Sequence, residues 1–225
     1  MKEYFMSEDG RFRAETVFVS IIPRLFPDTR RNLSDEDKVA DLRMNYSELP
    51  MISLKDFVEP DSRMRENLKT ILRETDYHRR AKKIMASVPA AIMPVRVKCR
   101  CDIDNIEKNL CGYNSIIALE IPISDDSIDV FERLKKMSWI WFASRSIDGR
   151  FFIVIVPLKN KDYLKHRIFY QHLKEDLKLI GVEVTERCAS LSMVVFQTYD
   201  VEAWMNDDCR LYQLPDSQDN IFKEE

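Results

Sequence analysis

Between residues 115 and 200 the hydrophobic periodicity reads strand, helix, strand, strand, helix, strand, an order that commits the segment to a sheet with helices laid on it. Residues 115–121 (Ser-Ile-Ile-Ala-Leu-Glu-Ile) read as a strand, and Asp125 or Asp126 can cap a helix through Met137, where Ile128, Phe131, Leu134 and Met137 recur at threes. Residues 139–143 and the nearly continuous apolar run 151–156 are two further strands. The polar segment Ser144-Arg145-Ser146-Ile147-Asp148-Gly149-Arg150 joins them as a hairpin. A second helix over residues 161–180 turns Tyr163, Ile168, Phe169, Leu173, Leu177 and Ile180 inward, and Gly181 ends it in a left-handed C-cap. Residues 192–198 close the block. The order predicts an α+β fold with a ferredoxin-like (RRM-like) βαββαβ core, its helices on one face of an antiparallel sheet and the other face free to bind.

Upstream, the β-branched residues 16–22 predict a first strand stopped by Pro23, and Ser34 before three acids predicts a helix over residues 35–45. Ser53 is a second cap. After Pro60 the spacing of Met64, Leu68, Ile71 and Leu72, then Ile84 and Met85, predicts an amphipathic helix or a helical pair. Its polar face carries Arg63, Arg65, Lys69, Arg73, Arg79, Arg80, Lys82 and Lys83 against Glu66, Glu74 and Asp76. Such a face is either ordinary solvated surface or a phosphate-binding one. Residues 92–101 predict a strand, followed by Asp102 and Asp104, which alternation aims to one side as metal ligands would be, although Asp-Ile-Asp-Asn is also common turn sequence. The organisation expected is an N-terminal α/β elaboration with a basic helical region (1–110), a core (111–205) and an acidic tail (206–225).

A chain of 225 residues with 45% hydrophobic and 32% charged residues suffices for one composite domain. Its net charge of −3 excludes a globally basic nucleic-acid binder, so any such contact needs a local patch. No apolar run reaches the roughly 20 residues of a membrane span, and the N-terminus lacks the uncharged run of a signal peptide, so no membrane partner and a cytoplasmic location are expected. The five cysteines (Cys99, Cys101, Cys111, Cys188, Cys209) form no CxxC pair and read as reduced, buried or half-buried thiols rather than a metal knuckle. No Gly-x-Ser-x-Gly elbow supports a hydrolase. Trp139, Trp141, Phe142, Phe151 and Phe152 crowd two adjacent strands, either to stack bases or to pack beneath the N-terminal helices.

The segment Cys111-Gly112-Tyr113-Asn114-Ser115 running to Glu120-Ile-Pro122, the hairpin over residues 144–157, and Cys188-Ala-Ser-Leu-Ser-Met193 running to Asp200 together resemble the VirE-type N-terminal domain family of Bacteroidetes, a branch of the primase and primase-polymerase superfamily. With Leu54-Lys-Asp-Phe57, the basic helix and residues 82–89, the resemblance spans about residues 45–208. It implies a primase-type core, and metal-dependent nucleotidyl transfer with Mg or Mn held by an acid pair at the end of the first core strand. Here the first acid is Glu120 and the second position is Pro122. The hairpin keeps Gly149 and Arg150, whereas the family's second glycine is Phe151 and its lysine Ile153; the arginine expected near the last strand is Met193, and Asp200 is retained. Losing a metal ligand and two phosphate-binding cations removes most of the electrostatics that phosphoryl transfer requires.

The expectation is therefore a primase-like domain of a replication protein or mobile element, catalytically degenerate, that binds single-stranded DNA or a nucleotide. The alternative is a non-catalytic module that recruits a helicase-like protein. Candidate residues are Glu120 and Asp200 for catalysis and metal, Ser144, Arg145, Ser146, Gly149 and Arg150 for phosphate, and Arg73, Arg79, Arg80, Lys82 and Lys83 for nucleic acid. Glu120 could equally pair with Arg150 or Arg145, and Asp200 could cap the turn before Trp204.

Overall fold

The computed structural model describes residues 11–22, 49–98, 108–124 and 127–215. The proposed helix over residues 35–45, Cys99, Cys101, Asp102, Asp104 and the acidic tail beyond residue 215 lie outside them. Among the described residues two antiparallel four-stranded sheets carry an α+β fold. In the first, the β-branched strand β1 (Phe18–Ile22) lies between β2 (Met51–Ser53) and β3 (Ala90–Ile92), with Val19 opposite Ile52 and Ser20 opposite Ile92. Strand β4 (Val95–Val97) forms a separate ribbon with β5 (Leu110–Tyr113). The single strand expected over residues 92–101 is thus two, parted at Met93-Pro94, because proline donates nothing to a ladder.

The second sheet holds β6 (Ile116–Pro122), β7 (Phe142–Arg145) and β8 (Phe151–Pro157). Strand β8 is central, paired with β6 from Ile116–Pro157 through Pro122–Phe151 and with β7 on its other side. The helices are α4 (Ser127–Lys135), between β6 and β7, and α5 (His166–Leu179), after β8. Phe131 of α4 stacks on Phe152 at 5.0 Å between centroids, and an Arg133 guanidinium bond to the Ile180 carbonyl ties the two helices together. Gly181 ends α5 at φ 70°, as its position after the last apolar residue predicted.

Three strands of the core follow the expected order, with β8 between the ends of a β-α-β crossover. The fourth does not. Residues 192–198 were expected to return to β6, yet their strand, β9 (Val194–Phe196), pairs with β3 of the first sheet, Ala91 opposite Val195. Beside β6 runs an extended piece, residues 182–185, with Val182 and Val184 buried, Glu183 exposed and one backbone bond from Thr185 N to the Glu120 carbonyl at 3.1 Å. The edge of β7 takes the short β10 (Trp204–Met205) instead.

The sheet face expected to be free is also closed. Residues 116–121 and 152–157 are buried on both faces, and Val19, Ile21, Ala91, Met93 and Val195 of the first sheet join them in one apolar cluster. The aromatic rings are part of it: Trp141 meets Phe12 edge-on at 5.5 Å, and Trp139, which precedes β7 rather than lying in it, meets Tyr212 at 5.2 Å. Trp141 packs beneath the N-terminal segment, Trp139 against Tyr212 and Phe152 beneath α4, and Trp141, Phe142 and Phe152 leave no ring face for a base.

Residues 54–87 fold as three helices. Ser53 caps α1 (Leu54–Val58), accepting from Asp56 N at 3.0 Å. Asp61 and Asp76 cap α2 (Ser62–Leu72) and α3 (Tyr77–Ser87) in the same way. Leu68, Ile71, Ile84 and Val88 close a second cluster over Ile147, so this pair sits directly on the β7–β8 hairpin. Among the described residues no helix is long and apolar enough to cross a membrane.

Candidate functional site

The hairpin between β7 and β8 is built around Asp148. Gly149 turns the chain at φ 77° and its amide donates to the Ser146 carbonyl at 2.9 Å. Asp148 Oδ1 accepts from Ser146 Oγ at 2.6 Å and from Arg150 N at 3.1 Å, while Oδ2 accepts from Arg150 Nε at 2.7 Å. Burial pushes the Asp148 carboxyl up, but the bonds from Ser146 and Arg150 outweigh it and hold the acid below its usual range. Sequence reasoning passed over Asp148. The signal was available, because an acid flanked by Ser146 and Arg150 within a hairpin bonds its own turn.

This hairpin divides two openings, and Ser146 lines both. The outer groove, about 710 Å³, is bordered by Lys69 and Arg73 of α2, by Arg145 and Gly149 of the hairpin, and by Tyr199 and Asp200. Lys69 pairs with Glu66 at 2.7 Å and sits 5.2 Å above the Tyr199 ring, while Arg145 pairs with Glu202 at 3.0 Å through largely exposed side chains. The inner cleft, about 140 Å³, lies between α3, β9 and the other side of the hairpin, and holds Glu120, Arg80, Arg150 and Arg187.

The predicted phosphate residues therefore divide. Arg145, Ser146 and Gly149 reach the outer groove, Ser146 and Arg150 the inner cleft, and Ser144 is fully buried with a hydroxyl that finds no partner among the described residues. The basic helices divide too. Arg80 folds back to cap α2, bonding the Glu74 carbonyl through Nε and Nη2 at 2.8 and 2.6 Å, and Lys83 pairs with Glu74 at 2.7 Å. Arg73, Arg79 and Lys82 are exposed and have no ion pair among the described residues.

Glu120 and Asp200 line different openings. Glu120 is 6% exposed at the floor of the inner cleft, next to Ile153 in the register, and its Oε2 lies 3.1 Å from Arg187 Nε without a well-directed hydrogen bond. Burial raises its carboxyl above the usual range, against the pull of the Arg187 guanidinium. Its partner is neither Arg150, which serves Asp148, nor Arg145, which serves Glu202. Asp200 takes backbone protons on both oxygens, from Arg145 N at 2.7 Å and Glu202 N at 3.0 Å, and so caps the turn before Trp204. The pair does not fit a divalent cation such as Mg or Mn, which needs ionised oxygens converging on one point. Among the described residues no three His, Cys, Asp or Glu side chains converge. Cys188 and Cys209 are buried and Cys111 is exposed.

No family model, curated protein or solved structure matches the sequence.

Proposed function

We propose that this protein is a primase-like domain that binds single-stranded nucleic acid in its outer groove and does not perform nucleotidyl transfer. One observation carries the reading: two basic elements far apart in sequence, Lys69 and Arg73 on α2 and Arg145 on the hairpin, line the same groove. Arg73 has no ion pair among the described residues, and Lys69 and Arg145 add positive charge to the groove once a phosphate takes the place of Glu66 and Glu202. The exposed pairs that now hold Lys69 and Arg145 exchange readily for phosphate oxygens. The primase-like part rests on the residues of the resemblance and on the crossover that places β8 between β6 and β7. The non-catalytic part rests on the separation of Glu120 from Asp200.

Fluorescence anisotropy with a labelled single strand over a salt series tests the binding. The logarithm of the affinity is expected to fall linearly with that of the salt concentration. Arg73→Ala and Arg145→Ala should each flatten the slope by about 0.7. Binding that is absent at low salt, or indifferent to salt, sinks the reading and leaves the groove as a docking surface for a replication partner such as a helicase. Template-dependent incorporation with magnesium or manganese should be absent. Incorporation that disappears in both Glu120→Ala and Asp200→Ala would restore catalysis.

A further inference from the structure

The inner cleft has a shape and chemistry of its own. At about 140 Å³ it is well below the roughly 300–1,000 Å³ of pockets that enclose drug-sized ligands, so it admits a single ring system. Its walls are Ile84 and Met85 of α3, Ile153 of β8 and Phe196 of β9. At the mouth the Arg150 guanidinium stands 5.8 Å from the centre of the Tyr77 ring, a flat pair of the kind on which bases stack. The floor is the Glu120 carboxyl, nine-tenths buried, with an oxygen that receives no directed hydrogen bond. The Arg187 guanidinium at 3.1 Å offsets part of the cost of burying this oxygen, and a directed donor from a ligand would satisfy it further. Arg187, its ion-pair partner, has a side chain 58% exposed and also donates through Nη2 to the Val194 carbonyl at 3.5 Å.

We infer that the inner cleft receives a nucleobase bearing an exocyclic amino group, which donates to the Glu120 carboxyl, from a nucleotide of the strand in the outer groove. The inference rests on the groove reading above, because Ser146 of the hairpin borders both openings. Adenine, cytosine and guanine carry such an amino group. Thymine does not: it offers one ring N–H between two carbonyl oxygens, which oppose a carboxylate. The amino group also suits Glu120 in either protonation state, since a carboxyl accepts a hydrogen bond in both.

The test compares homopolymeric dA, dC, dG and dT strands with an abasic strand of equal length at one salt concentration. The three amino-bearing strands are expected to bind roughly tenfold tighter than dT and the abasic strand. Unspecific single-strand binders show only modest preferences, for pyrimidine or G-rich runs, so dA binding tighter than dT is the comparison that distinguishes the cleft. Ala81→Trp, which fills the cleft from α3, should bring all four strands to the abasic level, and Glu120→Gln should narrow the gap to dT several-fold. Abasic and dT strands that bind as tightly as dA overturn the cleft assignment and leave the groove standing. If no strand binds, the groove reading fails, and saturation-transfer NMR with free deoxyadenosine and deoxycytidine decides the cleft separately. A signal that Ala81→Trp removes upholds it, and no signal overturns it.

Discussion

At Gly149 the hairpin turns in a conformation that an L side chain adopts only under strain, and no atom lies within 4 Å of where a Cβ would stand. The cost of Gly149→Ala is therefore backbone strain alone, about 1 kcal/mol, to be read from the urea midpoint. His166 is a second residue with a definite signature. Asn160 Nδ2 donates to Tyr113 Oη at 3.3 Å, Tyr113 Oη lies 3.0 Å from His166 Nδ1, and the buried His166 Nε2 finds no partner among the described residues. Burial pulls the imidazole down to about 4. Between that value and its ordinary 6.5 the unfolded chain holds more protons, so stability is lost as pH falls below 6.5. From pH 6.5 to 5 the loss is about 2 kcal/mol, and His166→Gln should remove that slope in denaturation series at the two pH values. Glu120, held above its usual range, works in the opposite direction and gains stability on protonation in the native state. Caps such as Ser53 and Gly181 were legible in the sequence because their partners lie within a few residues. The partner of Glu120, Arg187, lies in a short 3₁₀ turn (Glu186–Ala189) that no periodicity announces.

Among the elements, the joint between α2 and α3 governs both openings, since α2 borders the groove and α3 the cleft. Arg80 holds that joint by closing the free carbonyls of α2. Arg80→Ala should cost about 2 kcal/mol, and Arg80→Lys should not restore it, because an ammonium lacks the planar fork that reaches both Leu72 and Glu74. Thermal melts of the two variants beside wild type check this; full rescue by lysine would contradict the geometry. The helical pair was readable from the spacing of its apolar residues and from the capping acids Asp61 and Asp76. The destination of β9 was not. A short β-branched run says that a strand exists, but its partner is chosen by which edge lies open, and here β3 offered an edge about a hundred residues away while residues 182–185 already lay beside β6. The same holds for the two acids. Glu120 was legible as a residue of the first core strand, although it lies inside β6 and Asp200 stands four residues beyond β9, and their assignment to different openings depends on how the hairpin is wedged between them.

For the molecule as a whole, the boundary expected near residue 110 is crossed by a sheet and by the main apolar cluster. A fragment of residues 111–215 would carry β9 without β3 and expose the underside of β6 and β8. We expect it to lack a cooperative transition in circular dichroism melts, while the full chain unfolds in one step; a sharp fragment melt would show that the second sheet stands alone. The same wiring bears on biosynthesis. A sheet that starts at Phe18 and is finished by Phe196 cannot be completed until Phe196 has left the ribosome, long after its first strand. At the usual pace of translation that interval is on the order of ten seconds or more, during which the outer edge of β3 lies open to any neighbouring strand and to the chaperones that shield one.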